Sequence, residues 1–168
     1  MALTTDILVQ LTGRASSALD LKSVTADLVK NYRLALASGV AAAQADKIWE
    51  DQRTLAPSAV DSLDLSGGGL VDAFGAAFAP VKLKAILIYS ALANLNDITL
   101  FGDTNHVPIL GTAATTMGPL QPGCFFLMQW RALAGKAVTA GTGDIIKVTN
   151  AAGVNSVTYD IVLIGTSA

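Results

Sequence analysis

Charged residues are scarce in this sequence. Only 14% of its 168 residues are Asp, Glu, Lys or Arg, whereas the average soluble domain has about 25%. The hydrophobic fraction is 52%. A monomer with so few charges would expose apolar patches to water. The composition therefore favours a subunit that covers much of its surface against copies of itself or against another protein.

Cysteine and histidine each occur once, as Cys124 and His106. A single cysteine excludes an intramolecular disulfide and fits a cytosolic place of synthesis. The two residues cannot supply the ligands of a familiar zinc site. We expect His106 to be a surface residue and Cys124 to be a small buried hydrophobe at a strand entry. The sequence predicts no metal and no cofactor.

Basic stripes and long apolar runs are also missing. The formal net charge is −2, and the eleven Lys and Arg residues are spread along the chain, so we expect no nucleic-acid partner. The most apolar stretch, residues 84–95, is shorter than the roughly 20 residues of a membrane-spanning helix. The first ten residues lack the basic region of a signal peptide. We therefore expect no membrane partner.

The segment TAGTGD (139–144) raises the question of a phosphate-binding loop. Gly141 and Gly143 are followed by Asp144 rather than by the Lys of a Walker-type loop, and the third Gly of a dinucleotide fingerprint is absent. An acid at this position would repel phosphate. The pattern favours a tight turn that Asp144 caps through its side chain.

Acidic and amide residues do not form a convincing catalytic or metal pattern. Asp61 and Asp64 fall on opposite faces of a strand, which is a poor start for a carboxylate pair. The Asn and Asp residues of segment 94–105 could ligate calcium, but the same residues favour turns for local reasons. We therefore predict that the protein is not an enzyme.

Short strand-like runs dominate the second half of the chain. Each is rich in Val, Ile, Thr or aromatic residues and is bounded by Gly, Pro, Asn or Asp. Residues 120–124 favour a type II turn before a strand, and residues 150–155 favour a hairpin between the last two strands. The runs are 83–91, 97–102, 124–130, 144–150 and 156–165.

The first half of the chain is more ambiguous. Residues 6–13 favour a strand, residues 23–32 permit a helix because Val24, Leu28 and Tyr32 are four apart, and residues 39–50 fit a helix or a loop. We predict one domain over residues 1–168, with residues 1–20 as a candidate extended N-terminal arm. The predicted fold is all-β: an antiparallel, jelly-roll-like β-sandwich with long loops and at most one short helix.

Two tryptophans and one arginine are candidate interface anchors. Trp49 and Trp130 lie beside charged residues, and Arg131 follows Trp130 directly. Trp and Arg are enriched in the energetic centres of protein interfaces. Both tryptophans can equally belong to the core, and the core interpretation is slightly favoured for Trp49.

Several segments resemble a family of small virion structural proteins of tailed bacteriophages. The most specific pieces are "DQRTL" with "LDL" (51–65), "DAFG" (72–75) and "VTAGTGD" with "VTYDIVLIG" (138–165). The likeness covers residues 48–165 well and the N-terminal part more loosely. It also favours a loop over residues 39–50. The family pattern contains no catalytic residues, so none are carried over.

The resemblance implies a capsid decoration (cement) protein that is synthesised in the bacterial host cytoplasm and lies on the virion surface. Such a protein would bind the outer face of the major capsid protein lattice, associate with itself as a homotrimer, and stabilise the shell. The alternative is a head-fibre, tail or baseplate component that contacts a host glycan.

Overall fold

The computed structural model describes residues 2–111 and 115–168. Strands dominate these residues, and no helix occurs among them that could cross a membrane. The strands are β1 (Thr5–Ala18), β2 (Ser23–Ser38), β3 (Gln44–Ala45), β4 (Lys47–Leu55), β5 (Val60–Asp64), β6 (Lys82–Ser90), β7 (Ile98–Phe101), β8 (Thr116–Leu120), β9 (Phe125–Gln129), β10 (Lys136–Ala137), β11 (Ile145–Asn150) and β12 (Val157–Thr166).

Two antiparallel sheets form the body of the molecule. Sheet I has the strand order β10–β6–β12–β4, with β9 also paired to β6. Sheet II has the order β5–β11–β7–β8. Every pairing inside these two sheets is antiparallel. The prediction of an all-β antiparallel sandwich is confirmed.

The main core lies between sheets I and II. Alternate residues of each strand point inward, because successive side chains of a strand lie on opposite faces of its sheet. Full burial of one large aliphatic side chain contributes about 1.5–3 kcal/mol, so this cluster holds the two sheets together. Fully buried members are Leu63, Leu83, Ile86, Ile88, Ile98, Leu100, Ile146, Val148, Tyr159, Ile161 and Leu163.

A second, smaller apolar cluster covers part of the outer face of sheet I. Leu34 and Leu36 of β2 are buried there with Ala85 and Ile164 of sheet I. β2 pairs antiparallel with β1 along the whole of β1, and its last two residues pair parallel with β3. The base of the β1–β2 hairpin is thereby fixed against the sandwich.

The segment 23–32 is a strand and not the helix that its spacing permitted. Val24, Leu28 and Tyr32 are separated by even numbers of residues, so they share one face of β2 as well as they would share one face of a helix. Pairing with β1 decides between the two structures.

The prediction of a hairpin between the last two strands is wrong. β11 pairs with β5 and β7 in sheet II, whereas β12 pairs with β4 and β6 in sheet I. The connection crosses from one sheet to the other. Asn150 fixes it, because its side-chain amide donates a 2.8 Å hydrogen bond to the carbonyl oxygen of Asn155.

Two further local predictions have mixed outcomes. The turn before β9 is confirmed, because the Cys124 amide donates to the Gln121 carbonyl at 3.0 Å and Gly123 has a φ of +80°. Residues 39–50 are neither a helix nor a continuous loop. They contain a turn, then β3, then the start of β4.

Candidate interaction surface

The strands β1 and β2 form a long two-stranded hairpin, which we call the arm. Beyond Val9, every residue of β1 is exposed, and so is every residue of β2 before Leu34. The arm therefore leaves the sandwich surface after its base. An arm was expected over residues 1–20; the structure adds a return strand that runs to Ser38. Met1, the first residue of the expected arm, lies outside the described residues.

The arm has one apolar and one polar face. Residues that lie directly opposite each other in an antiparallel pair share a face. Lys30 is the single charged residue on the apolar face. The large side chains on that face are Ile7, Val9, Leu11, Val24, Leu28, Tyr32, Leu34 and Leu36.

Two ion pairs lie on the polar face of the arm. Arg14 Nε is 2.6 Å from Asp27 Oδ1, and Arg33 is 2.6 Å from Asp6 Oδ2. The hydrogen bond from Arg33 lowers the pKa of Asp6. All four side chains are about half exposed or more, so these pairs add little stability. They mark this face as the one that remains in water.

Most of the apolar face of the arm is uncovered. Ile7 and Leu34 at the base pack on sheet I, but Leu11 is 57% exposed, Leu28 44% and Tyr32 62%. An isolated two-stranded hairpin is at best marginally stable in water. A contiguous apolar surface on such an element is typical of a docking surface.

The edges of the arm are also largely open. Within the described part of the chain, β1 pairs with β2 alone, and β3 adjoins β2 only at Ala37 and Ser38. Backbone N–H and C=O groups along both edges therefore face away from the other strands. Such edges are sites at which a further chain can pair or pack.

The outer face of sheet I continues the apolar character of the arm. Strand register places its side chains in three rows across β4, β12, β6 and β9. The arm base packs on the first row; the other two carry aromatic and aliphatic side chains together with two acids. The first row is Ile48, Ile164, Ala85 and Gln129; the second is Glu50, Val162, Leu87 and Leu127; the third is Gln52, Asp160, Tyr89 and Phe125.

Beside the packed arm base, an apolar cavity of about 650 Å³ lies between β1 and the second and third rows of this sheet face. Ile7 and Val9 form one wall, and Leu87 and Leu127 form part of the other. Phe125, which is 58% exposed, lies at the same cavity. The arm and sheet I thus diverge and leave apolar side chains of both facing an open space.

The three residues predicted as interface anchors occupy different environments. Trp49 is 5% exposed and packs in the core with its ring centroid 6.3 Å from that of Phe78, which corresponds to the core interpretation. Trp130 is half-buried and packs against the same core. Arg131 is exposed. A partner contact through Trp130 or Arg131 stays a prediction.

A polar group bridges the two sheets at one end of the core. The phenol of Tyr159 in β12 donates a 2.6 Å hydrogen bond to Asp61 in β5, and Arg53 in β4 forms an ion pair with the same carboxylate. Burial, followed by the hydrogen bond to Asp61, raises the pKa of Tyr159. The arrangement is structural in character, because the phenol of Tyr159 and the guanidinium of Arg53 both bind the Asp61 carboxylate.

His106 and Cys124 have exposures opposite to those predicted. His106 is 5% exposed, and its ring nitrogens lie 2.6 Å and 3.0 Å from the carbonyl oxygens of Asp103 and Gly111. It is a buried residue that ties its own loop together. Cys124 is exposed, because the turn that begins at Gln121 places it at the surface before β9 starts.

The TAGTGD segment is a turn, as predicted. Thr139 and Gly143 form an isolated β-bridge, and Gly141 has a φ of +73°. The buried Asp144 carboxylate accepts hydrogen bonds from the Gly141 amide at 2.6 Å and from the Ser66 hydroxyl at 2.5 Å. The carboxylate thus occupies the amide donor that a phosphate would require.

Three of the Asn and Asp side chains in segment 94–105 have hydrogen-bond partners. Asn94 bonds to Ser90 and Thr158, and Asn96 bonds to the Asn150–Asn155 connection. Asp103 accepts from the amide of Asn105. Among residues 2–111 and 115–168, no three His, Cys, Asp or Glu side chains are grouped as a metal site would need.

The sequence placed residues 1–20 in a candidate arm, but neither the apolar face of the arm nor the outer face of sheet I was predicted. The signal for the arm was present, since apolar residues alternate with polar ones in both β1 and β2. No sequence signal marked the outer face of sheet I, because the composition of that face depends on which strands pair with each other.

No protein-family model, no curated protein and no solved structure matches this chain.

Proposed function

We propose that this protein is a virion structural subunit, a capsid decoration (cement) protein that binds the outer surface of the major capsid lattice and associates as a homotrimer. The observation that carries the proposal is the arm, whose apolar face extends beyond the sandwich without cover. The resemblance of residues 48–165 to phage virion proteins supplies the setting.

The fold suits a structural protein that binds to an assembly and stabilises it. The sandwich offers a rigid body, and the arm offers an apolar surface that a monomer in water would not benefit from exposing. The low charge content agrees with a chain that buries much of its surface in an assembly.

The mechanism of stabilisation is mass action. A subunit that binds the assembled lattice, and not its separated components, lowers the free energy of the assembled state by an amount that grows with its concentration. Chemistry on a substrate is not required.

The test compares particles that lack the protein with the same particles after the purified full chain is added back. We expect the added protein to co-sediment with the particles and to raise the temperature at which they release DNA. Unchanged particle survival at saturating protein would contradict a cementing function.

Paired variants connect this test to the arm. Leu11→Ser with Leu28→Ser removes two side chains from the apolar face, whereas Leu8→Ser with Val29→Ser removes two comparably exposed side chains from the polar face. We expect the first pair to lose particle binding and the second pair to retain it. Equal loss in both would show that the apolar face is not the surface used.

One observation favours the alternative of a head-fibre, tail or baseplate component that binds a host glycan. Tyr89 lines a cavity with Glu50, Asp51 and Asp160. Aromatic rings beside carboxylates can stack on and hydrogen-bond to sugars. Binding of host-surface glycans by the purified protein, with loss of binding in Tyr89→Ala, would support this function over cementing.

A further inference from the structure

We propose that the apolar face of the arm of one copy docks on the uncovered part of the outer face of sheet I of a second copy. This inference deepens the proposed function, on which it rests for the setting of an assembly, by naming the arm's partner as another copy of the same chain.

The packing at the base of the arm already shows, within one chain, the kind of contact that we propose between two chains. Leu34 and Leu36, on the apolar face of the arm, are already buried against Ala85 and Ile164 on the outer face of sheet I. The two surfaces therefore fit each other within one chain. The rest of each surface has the same character but lacks a partner inside that chain.

The free part of the arm is long enough to cross the uncovered rows. From Gln10 to Ala18 the arm extends about 30 Å at the rise of a β-strand, and the four strands β4, β12, β6 and β9 span about 15 Å across the sheet. The arm does not lie on its own sheet along this length, because every residue of β1 beyond Val9 is exposed.

The charges of the two surfaces are also complementary. Lys30 is the one charged residue on the apolar face of the arm. The twelve side chains in the three rows of sheet I include no cation and two acids, Glu50 and Asp160. A docked arm can bring its single cation to an acidic surface, whereas two arms packed face to face would offer neither Lys30 an acidic partner.

The interface is head-to-tail, because the arm and the sheet face are different surfaces. Contacts of this kind close into rings when the rotation between copies allows it. A ring in which each copy gives one arm and receives another leaves no arm uncovered. The homotrimer in the proposed function is the smallest such ring beyond a dimer.

The first test measures self-association of the full chain by sedimentation equilibrium over a range of concentrations. We expect Leu11→Ser with Leu28→Ser to weaken association by roughly tenfold per side chain. The matched polar-face control, Leu8→Ser with Val29→Ser, should associate like the wild type. Circular dichroism on all variants confirms that the sandwich is folded.

The second test exchanges the charges. Lys30→Glu alone and Glu50→Lys alone should each weaken association, because each places like charges across the interface. Both changes in one chain should restore it, because every arm then brings a carboxylate to the new ammonium group at position 50, whatever the symmetry of the ring. Restoration is not expected from any effect on folding of the separate elements.

Three results would overturn the proposal. These are a wild-type chain that stays monomeric at all concentrations, equal weakening by the apolar-face and polar-face pairs, and failure of the double charge exchange to restore association. A monomeric chain whose apolar-face variant still loses particle binding would assign the arm to the capsid instead, and the proposed function would stand without this inference.

Discussion

The phenol of Tyr159 donates a 2.6 Å hydrogen bond to the carboxylate of Asp61, and this bond joins the two sheets of the sandwich. Tyr159 is fully buried in β12 of sheet I, and Asp61 lies in β5, one of the two edge strands of sheet II. Arg53 completes the group by pairing with the same carboxylate. Two separate sheets are thereby fixed at one end by a polar contact as well as by the apolar core.

Tyr159→Phe should lower the free energy of unfolding by about 1.5–3 kcal/mol. The ring still fills the core, but a hydrogen bond to a charged group is lost and a largely buried carboxylate loses one donor. Urea unfolding followed by tryptophan fluorescence measures the change. Tyr32→Phe, on the exposed arm, is the control and should change stability by less than about 0.5 kcal/mol. Equal effects of the two changes would show that the bond does not join the sheets energetically.

The same bond predicts a loss of stability at alkaline pH. Burial, followed by the hydrogen bond to Asp61, raises the pKa of Tyr159 above its ordinary value of 10.0. Above pH 10 the unfolded chain releases the phenol proton while the folded chain keeps it, so the unfolded state binds fewer protons and becomes relatively more favourable as pH rises.

The measurement is the difference in unfolding free energy between wild type and Tyr159→Phe from pH 8 to pH 11. We expect this difference to be constant below pH 10 and to shrink above it by up to about 1.4 kcal/mol per pH unit. Other ionisable groups cancel in the difference. A difference that stays constant through pH 11 would contradict the raised pKa.

Gly141→Ala should destabilise the protein by about 1–2 kcal/mol, because a φ of +73° is costly for a residue with a Cβ atom. Gly69→Ala is a close control, since a Cβ atom at either position meets open space and Gly69 lacks a left-handed φ. The melting temperatures of the two variants are compared, and their difference reports the backbone strain at Gly141, because neither new Cβ atom meets a neighbour. Similar melting temperatures for the two would show that the turn at Gly141 relaxes without cost.

Lys84→Met should leave the free energy of unfolding within about 1 kcal/mol of the wild type. Lys84 is fully buried, and its ammonium donates to the carbonyl oxygens of Ala132 and Leu133. Methionine keeps the apolar stem and removes the cost of burying a charge, while the freed carbonyls belong to an exposed segment that water can reach.

The expected consequence of Lys84→Met is local. Amide hydrogen exchange should become faster in residues 131–135 and stay unchanged in β12, with Lys136→Met as the control. A loss of several kcal/mol in global stability would instead show that the ammonium bonds support the whole sandwich.

Local sequence patterns predicted the sandwich well because its strands are short, rich in β-branched residues and bounded by turn residues. The patterns failed where two structures share one spacing. Val24, Leu28 and Tyr32 fit one face of a helix and one face of a strand equally, and pairing with β1 decided between them. The alternation in β1 was the available signal, since a strand of that length needs a partner.

Long-range packing explains the remaining differences. The burial of His106 depends on two backbone carbonyls that its own loop brings to the ring, and the exposure of Cys124 depends on where the preceding turn points. The candidate docking face of sheet I was beyond sequence reasoning altogether. Glu50 and Asp160 come from distant parts of the chain and meet on one face only because β4 and β12 are neighbours.

The most direct test of the central proposal is a cryo-electron microscopy map of the intact particle that carries this protein. We predict density for the sandwich on the outer surface of the capsid lattice, with the arm of each copy lying on sheet I of a neighbouring copy. Density confined to the tail or baseplate, or the absence of this chain from the particle, would contradict the proposed function.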